Sequence, residues 1–274
     1  MFLLNALEPI VRPLKQIIER KMEREVDNRV RSGLRLVPIT DFAEEDVFVA
    51  GYPKSGHTWF QNLVAGIIYG VDPEIAPDTL IQELVPDVHY KQYYKRFQTP
   101  MFFKSHHLPR PEYKRVVYLL RDGRDAMVSY FHFNRALYGS KIDFLRMIAK
   151  GEYLFPCKWH DHVEQWLSNP YVAKMIVIKY ENLLLQPIDE LRTFCNFVGV
   201  RRSDDFLTQV IEKCSFSKMS KKEKESGWDN PVWPKDKPFV RRGEIGGYKD
   251  EMPPLVLNAF LGEASDTLRK CGYE

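Results

Sequence analysis

The stretch Val47-Phe48-Val49-Ala50-Gly51-Tyr52-Pro53-Lys54-Ser55-Gly56-His57-Thr58-Trp59 constrains the fold more than any other part of the chain. Its apolar start predicts a short buried strand, and a turn containing Gly, Pro and Ser follows. Then Trp59, Phe60, Leu63, Val64, Ile67 and Ile68 recur at helical spacing until Gly70 ends the run. A strand feeding a glycine loop and a helix N-terminus aims backbone N–H groups and the positive end of the helix dipole at one spot. That is an anion cradle, and Lys54 adds a full charge to it.

Further segments repeat the alternation. Met101–Lys104, Arg115–Leu120 and Lys174–Lys179 read as strands, the last two as buried ones. Helices are expected from Ala126 to about Phe133, along Trp159, Val163 and Trp166, and after the N-cap Ser203 to about Lys213. Buried strands with helical crossovers predict one α/β domain over 1–274, with a central parallel sheet and helices on both faces. Ligands of such sheets sit at the carboxyl ends of the strands. Three polar clusters fall there: the 51–58 loop, Ser105-His106-His107, and Arg121-Asp122-Gly123-Arg124-Asp125.

Two flanking segments differ. Within residues 1–40, Leu14, Ile17, Ile18, Met22, Val26 and Val30 form an apolar helical stripe among basic residues. It either packs on the domain or lies on a membrane surface or partner. Residues 217–250 are rich first in Lys and Glu, then in Trp and Pro, and read as a long mobile lid loop.

With 40 cationic against 37 anionic side chains the net charge is only +3, so no nucleic-acid-binding face is implied. Four widely spaced cysteines predict free thiols in a reducing, cytoplasmic compartment. No apolar run is long enough to span a bilayer, no secretory leader of the usual form is apparent, and no Cys/His cluster has zinc-like spacing.

Gly51-(x4)-Gly56-His57-Thr58 has the spacing of a nucleotide triphosphatase loop, but His57 stands where that loop carries its lysine, which is here displaced to Lys54. A metal-dependent small-molecule kinase would also need an acidic metal partner, for which Asp122 is the candidate. A non-catalytic nucleotide-binding protein is a further alternative.

The segment 52–59 resembles the 5′-phosphosulfate loop of the cytosolic sulfotransferases. Four more segments resemble that family in order. They are Lys104-Ser105-His106, Arg121-(x7)-Ser129, Cys214-Ser215-Phe216-(x2)-Met219, and Arg241-Arg242-Gly243-(x2)-Gly246. The resemblance covers roughly residues 40–250. It implies a P-loop-like, nucleoside-kinase-like architecture and transfer of a sulfuryl group from 3′-phosphoadenosine 5′-phosphosulfate (PAPS) to a small-molecule hydroxyl or amine. The product nucleotide is 3′-phosphoadenosine 5′-phosphate (PAP), and no metal is used.

By that resemblance Lys54, Ser55, Gly56, His57 and Thr58 hold the phosphosulfate, and Arg121, Ser129, Arg241, Arg242 and Gly243 the 3′-phosphate. Trp59 and Phe216 sandwich the adenine, with Tyr180, Cys214, Ser215 and Met219 beside it. Taken alone, Trp59 is an ordinary core residue of its helix. Lys104 and His106 are two apart on an extended segment and share a face, so His106 is favoured over His107 as the general base. Phe97, Phe102, Tyr138, Tyr153, Phe155 and Trp233 are candidate acceptor walls.

The chain departs from the family in carrying Gly246-Gly247-Tyr248-Lys249 where a GDWK run is usual, and it lacks the usual dimer segment downstream. A monomer, or a dimer built on another surface, is therefore expected.

Overall fold

The computed structural model of the chain describes residues 25–227 and 233–273. Four parallel strands form the central sheet: β2 (Val47–Gly51), β4 (Phe102–Ser105), β5 (Arg115–Leu120) and β6 (Lys174–Lys179), in the order β4-β2-β5-β6. Val47 pairs with Phe102 on one side and Arg115 on the other, and Arg115 with Lys174. A small antiparallel ribbon joins β1 (Val37–Pro38) to β3 (Tyr93–Tyr94).

Side chains alternate across the sheet as the strand period requires. Phe48, Ala50, Tyr118 and Leu120 face one core, packed against α4 (Gly123–Tyr138), α5 (Phe144–Lys150), α6 (Trp159–Ser168) and α12 (Pro254–Lys270). Val47, Val49, Val117 and Leu119 face the other, beneath α2 (His57–Tyr69), α3 (Asp78–Leu84), α8 (Pro187–Val198) and α9 (Asp204–Lys213). The expected architecture, a parallel sheet with helices on both faces, is therefore present.

The strand order places the site. From β2 the chain crosses through α2 and α3 to β4 on one side; from β5 it crosses through α4 to α6 to β6 on the other. The crevice between the carboxyl ends of β2 and β5, where the direction of winding reverses, is where such sheets bind ligands.

Three expectations are revised. β6 is an edge strand in which only Ile178 is buried, so its apolar run does not mark a fully covered strand. The Lys- and Glu-rich start of 217–250 is helix, α10 (Phe216–Ser226), and residues 233–247 are irregular chain ahead of the short α11 (Tyr248–Glu251). Lys and Glu are good helix formers, and neither Gly nor Pro interrupts the run before Gly227. The helix at the carboxyl end of β5 is longer than its apolar run, because Asp122 caps it by accepting from the Arg124 N–H at 2.9 Å.

The apolar stripe of residues 1–40 lies mostly outside the described residues. Within them, residues 25–34 form α1, on which Val26 is half exposed and Asp27 accepts from the Tyr93 hydroxyl at 2.8 Å. Among the described residues no helix is long and apolar enough to cross a membrane.

Candidate active site

The carboxyl ends of β2, β4 and β5 open into a cleft of about 930 Å³, whose lining includes Lys54, Lys104, His106 and Arg121. The loop after β2 makes its floor. Lys54 sits at φ 72° and Gly56 at φ 95°, both in the left-handed region, which folds the loop tightly before α2 begins. A Cβ on Gly56 would lie 2.8 Å from Cδ2 of Tyr180. Gly56→Ala is therefore expected to cost about 1–3 kcal/mol, through the backbone conformation and displacement of Tyr180. Chemical denaturation measures that loss, and an unchanged midpoint would contradict the packing argument.

Cations converge over this floor. The Lys54 ammonium lies 4.6 Å from the Phe133 ring centroid and 4.4 Å from that of Phe239. Burial, helped by the positive charges of Lys104, Arg121 and Arg241, lowers its pKa to about 7. Arg121 donates to the Lys54 carbonyl at 3.0 Å and to that of Glu244 at 3.1 Å, and its guanidinium stacks 4.2 Å above the Tyr180 ring. Its Nε is buried with no partner among the described residues.

Ser129, Arg241, Arg242 and Gly243 complete this end of the cleft. Arg241 and Arg242 both bind Glu251, at 2.6 and 3.0 Å, and His132 meets the same carboxylate at 2.7 Å. Asp125 accepts from the N–H groups of Gly246 and Tyr248, at 2.7 and 2.9 Å, so it ties the 239–247 segment to α4. Gly243 has φ 68°, and a Cβ there would lie 2.8 Å from Phe216.

Gly56, His57, Thr58, Trp59, Tyr180, Cys214, Phe216 and Met219 also line the cleft. Ser55 and Ser215 do not. The Ser55 N–H closes the turn onto Tyr52 at 3.2 Å and its hydroxyl is buried, whereas the Ser215 hydroxyl faces Ser217 at 3.3 Å. Cys214 touches the cleft, but burial pushes its thiol up to about 12.

The histidines occupy the remaining wall. Nδ1 of His106 lies 2.9 Å from the Gly51 carbonyl. A carbonyl only accepts, so Nδ1 carries the proton and Nε2 keeps its lone pair. Burial, then the charge of Lys104, lowers the His106 pKa to about 3. His107 points elsewhere, with Nδ1 3.1 Å from the Tyr113 hydroxyl, and is not on the cleft. His162 is fully buried against the Tyr118 hydroxyl at 3.0 Å and supports the His106 carbonyl at 3.3 Å. His57 meets His106 edge-on, ring centroids 4.3 Å apart.

Sequence reasoning missed Asp87 and His89. Asp87, 1% exposed, pairs with Lys104 at 2.9 Å and accepts from the His89 N–H at 2.9 Å. Burial opposes its charge, yet Lys104 and His106 hold its pKa below the usual value. Their only signal in the sequence is the spacing Asp87-Val88-His89; Asp87 bridges Lys104 in parallel register. Of the candidate acceptor walls only Phe155 lines the cleft. Phe102 is core, and Trp233 is buried against Phe133 and Phe239, with centroids 5.3 Å away in each case. Phe97, Tyr138 and Tyr153 lie off the cleft; Phe133, Tyr130, Tyr90 and Phe239 line it instead.

The kinase alternative needed Asp122 for a metal. Asp122 is instead clamped by Arg124, whose Nε and Nη2 donate to it at 2.9 and 2.6 Å. Among the described residues no three His, Cys, Asp or Glu side chains are grouped to hold a metal ion.

Residues 44–267 match the sulfotransferase domain. The chain belongs to the sulfotransferase family. This sulfotransferase is 24% identical to sulfotransferase 1B1 of Mus musculus over 229 residues, 75% of this chain and 76% of the mouse protein. It is 27% identical to cytosolic sulfotransferase 13 of Arabidopsis thaliana, over 78% of this chain and 74% of that one. Among solved structures, retinol dehydratase in complex with androsterone and PAP superposes with TM-score 0.64 at 22% identity, covering 83% and 82% of the two chains. Mouse SULT7A1 complexed with PAP gives 0.62 at 21%, covering 84% and 85%. The structural likeness confirms the fold. The family makes this chain a transferase that moves a sulfuryl group from PAPS to a small-molecule acceptor, and the kinase alternative falls.

Proposed function

We propose that the cleft binds PAPS with its phosphosulfate over the 51–58 loop and its 3′-phosphate between Arg121, Ser129, Arg241, Arg242 and Gly243, and transfers the sulfuryl group to an acceptor hydroxyl. An amine is the second acceptor class. Burial and three cations around Lys54, Lys104, Arg121 and Arg241, lower its pKa to about 7, which fits a site completed by an anion. The unpartnered Nε of Arg121 fits the same reading. Trp59 and Phe216 are assigned the adenine faces, with Tyr180, Cys214, Ser215 and Met219 at its edge; Ser55, whose buried hydroxyl has no partner among the described residues, is assigned to the phosphosulfate loop.

The donor supplies the sulfuryl group. His106 Nε2 takes the proton of the attacking hydroxyl. Lys54 carries the negative charge that develops on the leaving oxygen, and Lys104, held by Asp87, faces the sulfuryl oxygens. The observation that carries this reading is the His106 tautomer, set by the Gly51 carbonyl, beside a cationic cradle.

The test is thermal. PAP without metal is expected to raise the melting temperature, while ATP with Mg²⁺ is not; the reverse order would overturn the donor assignment. A radiolabelled-donor screen over phenols, steroids, fatty alcohols and amino sugars then finds the acceptor class. The segment 239–247 is assigned the role of a lid, the chain a cytoplasmic location, and the quaternary state a monomer or a dimer not built on 249–254. Residues 1–40 remain either a helix on the domain or a membrane-surface contact.

A further inference from the structure

Beyond the cradle and the base, the cleft holds a histidine that neither task uses. His89 lines the cleft beside Tyr90 and Phe155, its ring 5.2 Å from that of Phe155 and edge-on to it. It stacks on His106 with ring centroids 5.7 Å apart and planes 16° from parallel.

Backbone and side-chain contacts fix its place. The Lys104 N–H donates to the Pro86 carbonyl at 2.9 Å and the Val88 N–H to the Lys104 carbonyl at 3.0 Å, so 86–88 runs as a short extra edge beside β4. The chain turns directly after that edge, the Tyr90 and Lys91 N–H groups donating to the Asp87 carbonyl at 3.2 and 3.1 Å, which brings His89 back toward the Asp87 side chain. The His89 N–H is held by the Asp87 carboxylate at 2.9 Å, and the same carboxylate holds Lys104. The backbone N–H of His106 donates to Nε2 of His89 at 2.8 Å.

That last bond decides the tautomer. A backbone N–H can only donate, so Nε2 of His89 is the bare nitrogen and Nδ1 carries the proton. No hydrogen bond occupies Nδ1 among the described residues. The ring therefore ends in a donor of fixed orientation. Beside it stands the ring of His106, whose opposite nitrogen is bare, so one histidine offers a proton and its neighbour accepts one.

We infer that His89 is a specificity residue of the acceptor end, its Nδ1–H donating to a second oxygen of the acceptor close to the hydroxyl that His106 deprotonates. The acceptor class favoured is a hydroxyl compound with a neighbouring hydroxyl, ether or carbonyl oxygen, such as a catechol, a 2-alkoxyphenol, a vicinal diol or a hydroxyketone. The inference rests on the sulfuryl-transfer reading of the same cleft.

Two measurements test it. In the wild-type protein labelled with [¹⁵N]histidine, the His89 ring, assigned by its loss in His89→Phe, is expected as the neutral Nδ1–H tautomer. An Nε2–H tautomer or an imidazolium at pH 7.5 overturns the inference whether or not any acceptor is found. With labelled PAPS, wild type and variants are then compared on pairs with and without the neighbouring oxygen: catechol and phenol, cyclohexane-1,2-diol and cyclohexanol.

In His89→Phe both members of a pair slow, because the His106 N–H loses its partner. The kcat/KM preference for the oxygen-bearing member is expected to drop roughly tenfold, the worth of one hydrogen bond. His89→Gln, which retains both an acceptor and a donor, is expected to keep most of that preference. An unchanged ratio in His89→Phe makes His89 a support for the His106 backbone only and overturns the inference. If the wild type binds PAP yet transfers to neither member of any pair, the hydroxyl-acceptor reading fails and takes the acceptor-oxygen role of His89 with it.

Discussion

His106→Ala is expected to lower single-turnover sulfuryl transfer by roughly 10²–10⁴-fold while PAP binding stays within a few-fold of wild type, the range of a positioned general base. The geometry makes the case. The Gly51 carbonyl holds the Nδ1 proton, so the lone pair is on Nε2. With its pKa lowered to about 3 by burial and Lys104, the ring is neutral in the empty cleft, and the negative charge of the bound donor raises its basicity toward the range a general base needs. The ring is not the anchor of the fold, since His162 and Trp166 support the backbone of 106–107 from behind, at 3.3 and 3.0 Å. Full activity in purified His106→Ala would sink the assignment and move attention to the other histidines on the cleft, His57 and His89.

The same ring contributes to acid stability together with the other histidines that burial holds below their ordinary pKa: His57, His89, His107, His132 and His162. His106 and His162 have folded pKa values of about 3, against an ordinary value near 6.5. A histidine whose folded pKa is depressed binds its proton first in the unfolded chain. Stability is therefore intact above about pH 6.5 and is lost as pH falls from there toward 3, by about 1.4 kcal/mol per pH unit for each ring. Denaturation midpoints at pH 7.5 and 5.5 measure it: the midpoint is expected to drop in wild type, with a smaller drop in His106→Ala. A pH-independent midpoint would show that the rings are not held neutral.

How much was legible in advance follows from range. The β2 loop and α2 are local: the small residues, Lys54 and the helical stripe sit within a few turns of one another, so the strand, the cradle and its place at a strand end could be read directly. Lys104 and His106 could be read for the same reason, being two apart. Asp87, His89, Glu251 and Asp125 could not. Each acts through a partner distant in the chain: Asp87 on Lys104, Glu251 on Arg241 and His132, Asp125 on the N–H groups of 246 and 248. Nothing in a carboxylate's immediate neighbours says which cation the fold will bring to it. Charge-rich 217–226 misled for a different reason, because solvated Lys and Glu satisfy a surface helix as well as a loop. The aromatic walls failed by geometry: Phe133 and Phe239 face Lys54, while Trp233 stands behind them.

Lys54→Ala is expected to reduce transfer roughly 10²–10³-fold, the cost of removing one preorganised charge from where negative charge develops, and to weaken PAP as well. Its protonation gives a sharper test than the loss of rate. In the free protein the Lys54 pKa is about 7, because burial and then Lys104, Arg121 and Arg241 disfavour a fourth cation. A bound dianion reverses that balance and raises it. At pH 8 Lys54 is mostly neutral in the free cleft and charged in the complex, so binding must draw a proton from solution. PAP itself contributes little there, since phosphate second ionisations lie near 6. Calorimetric titration of PAP at pH 8, in buffers of differing ionisation enthalpy, is expected to show uptake approaching one proton and an affinity that weakens above pH 7. Lys54→Arg keeps the charge but cannot be deprotonated, so its uptake is expected to vanish while binding persists. Equal proton uptake in wild type and Lys54→Arg would mean that another group titrates and that Lys54 is already charged in the empty cleft. Loss of uptake together with slowed transfer in Lys54→Arg would place the compact ammonium, held between Phe133 and Phe239, as the group that follows the charge onto the leaving oxygen.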